Sequence, residues 1–564
     1  MATVNLGKIA FTWKGAWVIT TTYSKQDVVS VDGSSYVCVV NTSLGNNPAA
    51  SNDWQLFAKG VPASSVGNGS LLYSDGSQLQ TLTPGAANQI LQINSSTGLP
   101  EWVSTPFRSS VRVAELMGRH HSSYRKSMVL MEDGMLKGWG YGGHYQLGQG
   151  SNSNNKSYPT QVAFPRDFPG VKRSTQLNGK KHFNMDYAYV SWCVDTNNQL
   201  WTWGNNTSGK LANGSTGNHY MPLNVSLRTQ NSIYGKQIDY IVDTYAVGQS
   251  EHGLYAVCTD GTVHYCGYNG HGQAGQGHTN AVNNFVQLST LFYPQVQVMS
   301  AGRYGYAVML DNQGTLRNVG YNGYSTFGGS STNNAIPQTI TLAGGATCVS
   351  ILEAGPKGVW VKDSNGAVQN WGNDTTYGWL GRGAGGSQNA AVVFTAAQGN
   401  IVEVLCVGDD TSYYHAVSYM RAADGKIYAA GYNGYGALAD GTTNNRFTYA
   451  QCQGFPTNVV KMIAVGNYNS YHSMAALTAD GKVYVVGYNG NGQLGLGDTS
   501  LRSTGTLVPI QQKVVDICNV GYTSEGGIQF LLEDGTLLQS GYGGDNQQPD
   551  DDAEACYVPQ TVVF

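Results

Sequence analysis

Six tyrosines, Tyr304, Tyr413, Tyr414, Tyr468, Tyr471 and Tyr522, recur at one kind of place in the chain. Each lies just beyond a glycine that closes an apolar segment, and Tyr124 and His252 stand at the same place in other segments. Residue type there changes from one segment to the next while the apolar flanks do not. Variable loops on a constant frame are where recognition is usually carried. A tyrosine ring offers an apolar face for stacking on a pyranose and a hydroxyl for hydrogen bonding. With few charges nearby, such a surface suits a neutral polyol better than a phosphate or a charged protein.

Catalytic arrangements are missing from the chain. There is no Gly-x-Ser-x-Gly elbow, no His-Glu-x-x-His pair and no phosphate-binding loop. The eleven histidines are dispersed, and His120, His121 and His472 read as loop hydrogen-bonding residues. Asp409-Asp410 and Asp550-Asp551-Asp552 lack the regular oxygen spacing of a calcium loop and read as solvated acidic loops. The expectation is a protein without enzymatic activity, metal or cofactor.

The elements that would hold these loops repeat. A Gly-rich stretch returns eight times, anchored on Gly140, Gly204, Gly267, Gly320, Gly372, Gly431, Gly487 and Gly541, at spacings of 52 to 64 residues. Short β-branched runs such as Lys482-Val-Tyr-Val-Val486 precede it. Asp133-Gly134, Asp260-Gly261, Asp424-Gly425, Asp480-Gly481 and Asp534-Gly535 supply two-residue hairpin turns. Each repeat amounts to one four-stranded antiparallel sheet, too small to stand alone. Radial packing of such sheets buries their faces and leaves short edges, so the spacing predicts an all-β propeller. Tyr268, Tyr321, Tyr432 and Tyr488, in a recurring Tyr-Asn-Gly, sit at a fixed turn and are assigned to packing.

Gly487-Tyr-Asn-Gly-Asn-Gly-Gln-Leu-Gly-Leu-Gly497 and, nearly, Gly267 to Gly277 resemble the repeat of the regulator of chromosome condensation family. The resemblance covers residues 109–564 and implies that family's propeller fold, not an activity. The family usually has seven repeats where eight are counted here. Eight blades are expected, with seven blades plus an irregular insertion as the alternative.

Composition narrows the function classes. Charged residues make up 12% of the chain, against ~25% in ordinary soluble proteins, and net charge is −4. No basic field exists to draw nucleic acid or an acidic membrane. No apolar run reaches the ~18 residues needed to cross a bilayer, so no membrane insertion is expected. Nine scattered cysteines without a Cys-x-x-Cys pair read as buried thiols. The opening residues lack a charged-then-apolar leader, and folding in a reducing cytoplasm is expected.

Residues 1–60 form a separate module, with Trp13, Trp17, Tyr23, Tyr36, Trp54 and Phe57 close together. The order Ala16-Trp17…Tyr23…Asp27-Val-Val…Gly33…Tyr36…Pro48…Trp54 resembles the chitin-binding type of carbohydrate-binding module. Most of these rings are assigned to a core, with Trp17 and Trp54 as the candidates for touching a glycan. Residues 61–108, including Leu71-Leu-Tyr73, Ala86-Ala-Asn-Gln-Ile-Leu-Gln-Ile-Asn94 and Pro100-Glu-Trp-Val103, resemble the short β units of phage tail-fibre and tail-spike proteins. Ala2-Thr-Val-Asn-Leu-Gly-Lys-Ile9 is likewise similar to the start of many tail-fibre chains. Taken together, these resemblances imply a β stalk or linker and a homotrimer. They also imply a place in the virion tail, an N-terminal part attached to other tail proteins, and a propeller that binds a host surface glycan or lipopolysaccharide. Two alternatives stay open: a tail-spike depolymerase and a protein-binding propeller. The N-terminal module either anchors the fibre or itself binds sugar.

Overall fold

The computed structural model describes the chain except for residues 1–11, 32–33, 42, 59–70, 75–78, 83–89, 94–98, 104–111, 118–125, 151–154, 175–179, 181, 186–188, 245–250, 289–296, 302–304, 324–331, 356–357, 375–376, 384–385, 395–398, 409–414, 467–470, 522–525 and 542–555. The chain divides into two compact units, residues 1–109 and 110–564. Among the described residues no helix is long and apolar enough to cross a membrane.

The second unit is built from eight four-stranded antiparallel sheets, each contiguous in sequence. We number them as blades: 113–161, 183–224, 238–287, 297–340, 348–394, 401–451, 459–507 and 514–561. Eight blades, not seven with an insertion, account for the eight repeats. The Asp-Gly pairs form the hairpins between second and third strands, as at Leu477↔Val483 and Leu531↔Leu537. Second and third strands are almost wholly buried, because blades stack on both of their faces. Fourth strands carry Pro159, Pro222, Pro337 and Pro559, and a missing backbone donor there blunts an outer edge against further strand pairing.

First strands contact one another around the axis, so they form the inner ring. In most of them the register slips after the first residue, between Cys348 and Ser350, Ile401 and Glu403, and Val459 and Lys461, for example. The bulged residues Val349, Val402 and Val460 are exposed as a result.

Each blade is tied to the next at both ends. At the hairpin end, the turn glycine accepts from the chain entering the next blade: Val171 N, in the connection to blade 2, donates to Gly134 O (2.9 Å), and Val514 N, at the start of the blade 8 inner strand, to Gly481 O (2.9 Å). At the other end, the Gly-rich loop reaches the next outer strand, with Gly277 N donating to Ala335 O (2.8 Å) and Gly497 N to Tyr557 O (2.7 Å). The same bond joins blade 8 to blade 1, where Val113 N donates to Gly535 O (3.0 Å). Cys518, Leu531 and Leu537 of blade 8 share one core with Val113, Met128 and Trp139 of blade 1. Among the described residues the ring therefore closes by this backbone bond and by side-chain packing, without a strand shared between the two ends.

In the first unit, Thr12–Ala16 pairs parallel to Asp27–Val31, which continues antiparallel through Ser34–Cys38 to Trp54–Ala58. Two short hairpins follow, Leu71–Ser74 with Leu79–Leu82 and Ile90–Ile93 with Pro100–Val103. Trp54 is 6% exposed and meets Tyr23 edge-on at 5.2 Å, inside the module's small core. Its assignment as a glycan contact is therefore corrected. Trp17 packs half-buried against the same core, and Trp13, 57% exposed, is the indole that faces solvent. The parallel first strand is the reason: it places Trp13 beside Val28, off the face that carries Val29 and Tyr36.

Candidate functional site

Strand direction sorts the connections of every blade onto two faces. Loops between strands 1 and 2 and between strands 3 and 4 emerge together on what we term the loop face. Asp-Gly hairpins and the links between blades emerge on the turn face.

The loop between strands 3 and 4 is held from within by its asparagine. Asn433 Oδ1 accepts from Leu438 N (2.9 Å) and its Nδ2 donates to Thr442 O (3.0 Å). Asn489 does the same with Leu494 N (3.0 Å) and Asp498 O (2.8 Å), and Asn206 and Asn269 repeat the arrangement. A glutamine braces the next turn, Gln146 Oε1 accepting from His144 N (2.9 Å) and Gln273 Oε1 from His271 N (3.0 Å). The following blade then clasps the loop: Trp203 Nε1 and Ser191 Oγ both donate to Gln146 O, at 2.9 and 2.7 Å. A loop so pinned shows its side chains in fixed positions. Gly434 and Gly490 set the last detail, because a Cβ at either would meet the hydroxyl of Tyr432 or Tyr488. Without that Cβ, the ring folds back across its own turn.

These rings do not stand singly. His144 of blade 1 stacks on Tyr189 of blade 2, centroids 4.2 Å apart and planes at 28°. His271 meets Tyr321 across blades 3 and 4 at 4.9 Å, and Tyr377 meets Tyr432 across blades 5 and 6 at 5.2 Å. Tyr435 meets Tyr488 across blades 6 and 7, also at 5.2 Å. His415 adds to the third rung, 4.3 Å from Tyr432. Tyr471 adds to the fourth, 5.2 Å from Tyr435 and 4.5 Å from Tyr488. Among the described residues this aromatic ladder therefore crosses four seams of the loop face. Its members outside blade 2 are half-buried.

Burial lowers the proton affinity of the ladder imidazoles. It pulls His415 and His144 below the ordinary histidine range, and Lys126 and Lys210 act in the same direction on His144. His271 is also lowered by burial, against the opposing pull of Glu251. Burial pushes the Tyr488 phenol up, with Tyr471 and Tyr435 adding to the effect. At neutral pH the ladder is a row of uncharged rings.

Ion pairs gather on the other face. Arg173–Glu132 (2.6 Å), Lys236–Asp260 (2.6 Å), Arg317–Asp311 (2.8 Å) and Arg421–Glu403 (2.7 Å) all lie at hairpin turns or inner-strand starts. Loop-face pairs include Arg446–Asp440 and Arg502–Asp498, and both reach in from outer strands.

Of the sequence-derived candidates, Tyr471 is placed on the ladder, and Tyr304, Tyr413, Tyr414, Tyr468 and Tyr522 lie outside the described residues, as do Tyr124, His120, His121, Asp409, Asp410 and Asp550–Asp552. His252 is 1% exposed, which removes it as a surface contact. The separation drawn between turn tyrosines and loop tyrosines does not hold. Tyr432 and Tyr488, assigned to packing, share a surface with Tyr471. The sequence reading missed Tyr377, Tyr435, His144, His271 and His415. One signal was present: an aromatic or histidine three residues after the turn tyrosine, as in Tyr141-Gly-Gly-His144, Tyr268-Asn-Gly-His271 and Tyr432-Asn-Gly-Tyr435. Among the described residues no group of three or more His, Cys, Asp or Glu side chains gathers as a metal site.

The regulator of chromosome condensation (RCC1) repeat model matches residues 133–176 and 480–519. Those two windows match the repeat, and the fold is an RCC1-like propeller. Each matched window starts at an Asp-Gly turn, and the second ends within the inner strand of blade 8, so the sequence repeat is offset from the structural blade. The chain is similar to the ultraviolet-B receptor UVR8 of Arabidopsis thaliana, 25% identical over 374 residues, 66% of this chain and 77% of UVR8. It is also similar to the mitochondrial RCC1 domain-containing protein RUG3 of the same plant, 25% identical over 408 residues, 68% of this chain and 88% of RUG3. Among solved structures, human WBSCR16 superposes with a TM-score of 0.49 at 15% identity, over 71% of this chain and 100% of that one. Prp20p of Saccharomyces cerevisiae gives 0.48 at 14% identity, over 75% and 93%.

Proposed function

We propose that the chain is a recognition protein of a bacteriophage tail fibre, whose RCC1-like propeller attaches to a host cell-surface glycan through its loop face. One observation carries the reading: uncharged half-buried rings meet across seams on the face where loops vary, while most of the ion pairs among the described residues lie on the face of the fixed turns. Pyranose rings present apolar C–H faces and hydroxyls together, which tyrosine matches with ring and phenol. The order of the chain supports the rest, an aromatic module, then short hairpins similar to tail-fibre units, then the propeller. Strand–turn units as short as Leu71–Leu82 bury little surface alone. Winding around two sister chains would complete them, giving a homotrimeric stalk with residues 1–60 toward other tail proteins. In this reading the protein binds without catalysis and belongs to the virion.

The test is retention of the whole chain on an array of bacterial capsular and lipopolysaccharide glycans. Selective retention is the expected result, with no oligosaccharide released from the retained polymer. Release of product would identify a depolymerase. Retention of protein ligands in place of glycans would overturn the reading in favour of a protein-binding propeller.

A further inference from the structure

We infer that Tyr145 and Tyr220, at the outer rim of the seam between blades 1 and 2, form a stacking contact for a pyranose unit of the host polysaccharide; the inference rests on the glycan-attachment reading above. Tyr145 has a φ of 67°, in the left-handed region that a bulky side chain rarely adopts. Gly209, Gly272, Gly378, Gly436 and Gly492 hold the same place in blades 2, 3, 5, 6 and 7, with φ between 68° and 83°. Backbone bonds establish the equivalence. Tyr145 N donates to Gly142 O and Tyr145 O accepts from Gly148 N, just as Gly492 N donates to Asn489 O and Gly492 O accepts from Gly495 N.

Glycine suits this place for a second reason. A Cβ at Gly272, Gly378 or Gly436 would run into the backbone of Ala335, Phe447 or Ser503, on the outer strand of the following blade. The residue that faces Tyr145 is Tyr220, second in its strand as Ala335, Phe447 and Ser503 are in theirs. Here the seam gives way. Gly150 N to Tyr220 O is 3.2 Å, where the same bond measures 2.7 to 3.0 Å at Asn283, Ala335, Phe447, Ser503 and Tyr557.

Turn formation does not require this tyrosine, since five blades make the turn with glycine. Strained backbone of this kind concentrates at ligand clamps and active sites. What it maintains at this rim is aromatic surface. The Tyr145 and Tyr220 rings lie 6.0 Å apart at 57°, and His219 lies nearly parallel to Tyr220, 5.8 Å away at 8°. Tyr220 is 48% exposed and Met221 beside it is 40% exposed. Tyr189, the other tyrosine with left-handed backbone among the described residues (φ 61°), stacks on His144 in the same seam. Stacking on a pyranose needs an exposed ring face and a phenol, not an enclosing cavity.

The experiment titrates the whole chain with oligosaccharides cut from host capsular polysaccharide and lipopolysaccharide. It compares wild type, Tyr145→Gly, Tyr220→Ala and Tyr234→Ala, the last an exposed tyrosine of the turn face. Thermal midpoints are read for each. About tenfold weaker binding is expected in Tyr145→Gly and Tyr220→Ala, with no change in Tyr234→Ala. The Tyr145→Gly midpoint should be no lower than that of wild type, because glycine relieves the strain. Unchanged binding in Tyr145→Gly or in Tyr220→Ala would overturn the contact and leave the attachment reading standing. If Tyr145→Gly lowers the midpoint together with binding, Tyr220→Ala decides, since that ring is exposed and its loss does not disturb the fold. Failure of wild type to bind any of these oligosaccharides would overturn the attachment reading, and the contact with it.

Discussion

Gln529 Nε2 donates a hydrogen bond of 3.0 Å to Ser127 Oγ, joining blade 8 to blade 1 across 402 residues of sequence. Both side chains are fully buried, and the second hydrogen of the Gln529 amide goes to Gln539 Oε1 at 2.9 Å. Among the described residues no strand is exchanged between the ends of the propeller, so this contact, the Val113–Gly535 backbone bond and the apolar core around them hold the ring shut.

Ser127→Ala leaves an amide hydrogen buried without an acceptor at the closure. A loss of about 1–3 kcal/mol is expected in urea unfolding. A change below about 0.5 kcal/mol, the size usual for surface substitutions, would show that the closure does not depend on this side-chain bond.

Asp374 stands where other blades have Asn206, Asn269, Asn433 and Asn489. Its Oδ2 accepts from Leu380 N at 3.2 Å, but Oδ1 is buried with no donor. Burial raises its pKa from 3.8 to about 6. The folded carboxyl therefore holds its proton more tightly than the unfolded one. Well below pH 4 both states are protonated and nothing is lost; as pH rises toward 6 the unfolded state ionises first, and the penalty is complete above that. Asp374→Asn supplies the donor that the site lacks. It should add about 2 kcal/mol at pH 7 and nearly nothing at pH 4, read from unfolding at the two pH values. Equal effects at both would contradict the assignment.

All nine cysteines are free and buried. Burial pushes Cys258 up to about 11 and Cys348 to about 12, so the nucleophilic thiolate is scarce as well as inaccessible. A thiol reagent at pH 8 should label none of them in the folded protein and nine after denaturation. Fast labelling of two or more in the native state would show that blades open locally.

The frame of this molecule was legible in its sequence because it is written in local chemistry. Asp-Gly needs only two residues to make a hairpin, and the Asn and Gln of Gly-Tyr-Asn-Gly-Asn-Gly-Gln-Leu act on backbone atoms within nine residues. Seams are different. Tyr435 and Tyr488 lie 53 residues apart and belong to different sheets. Which residue of one loop meets which of the next depends on how blades stack, and no local pattern states that. The same limit explains Trp54. Aromatic density shows that a small core exists, but the parallel pairing of Thr12–Ala16 with Asp27–Val31 decides which indole is left outside. Bulges hid the exposed valines too: alternation cannot place Val349 once the register has slipped between Cys348 and Ser350.

Recognition by the loop face is tested most directly by hydrogen exchange on the whole chain, with and without the polysaccharide of a susceptible host. Slowed exchange is expected in 432–436 and 488–492, with the hairpins at Asp424-Gly425 and Asp480-Gly481 unchanged. Protection confined to the turn face, or to residues 12–58 with the propeller loops unaffected, would contradict the account.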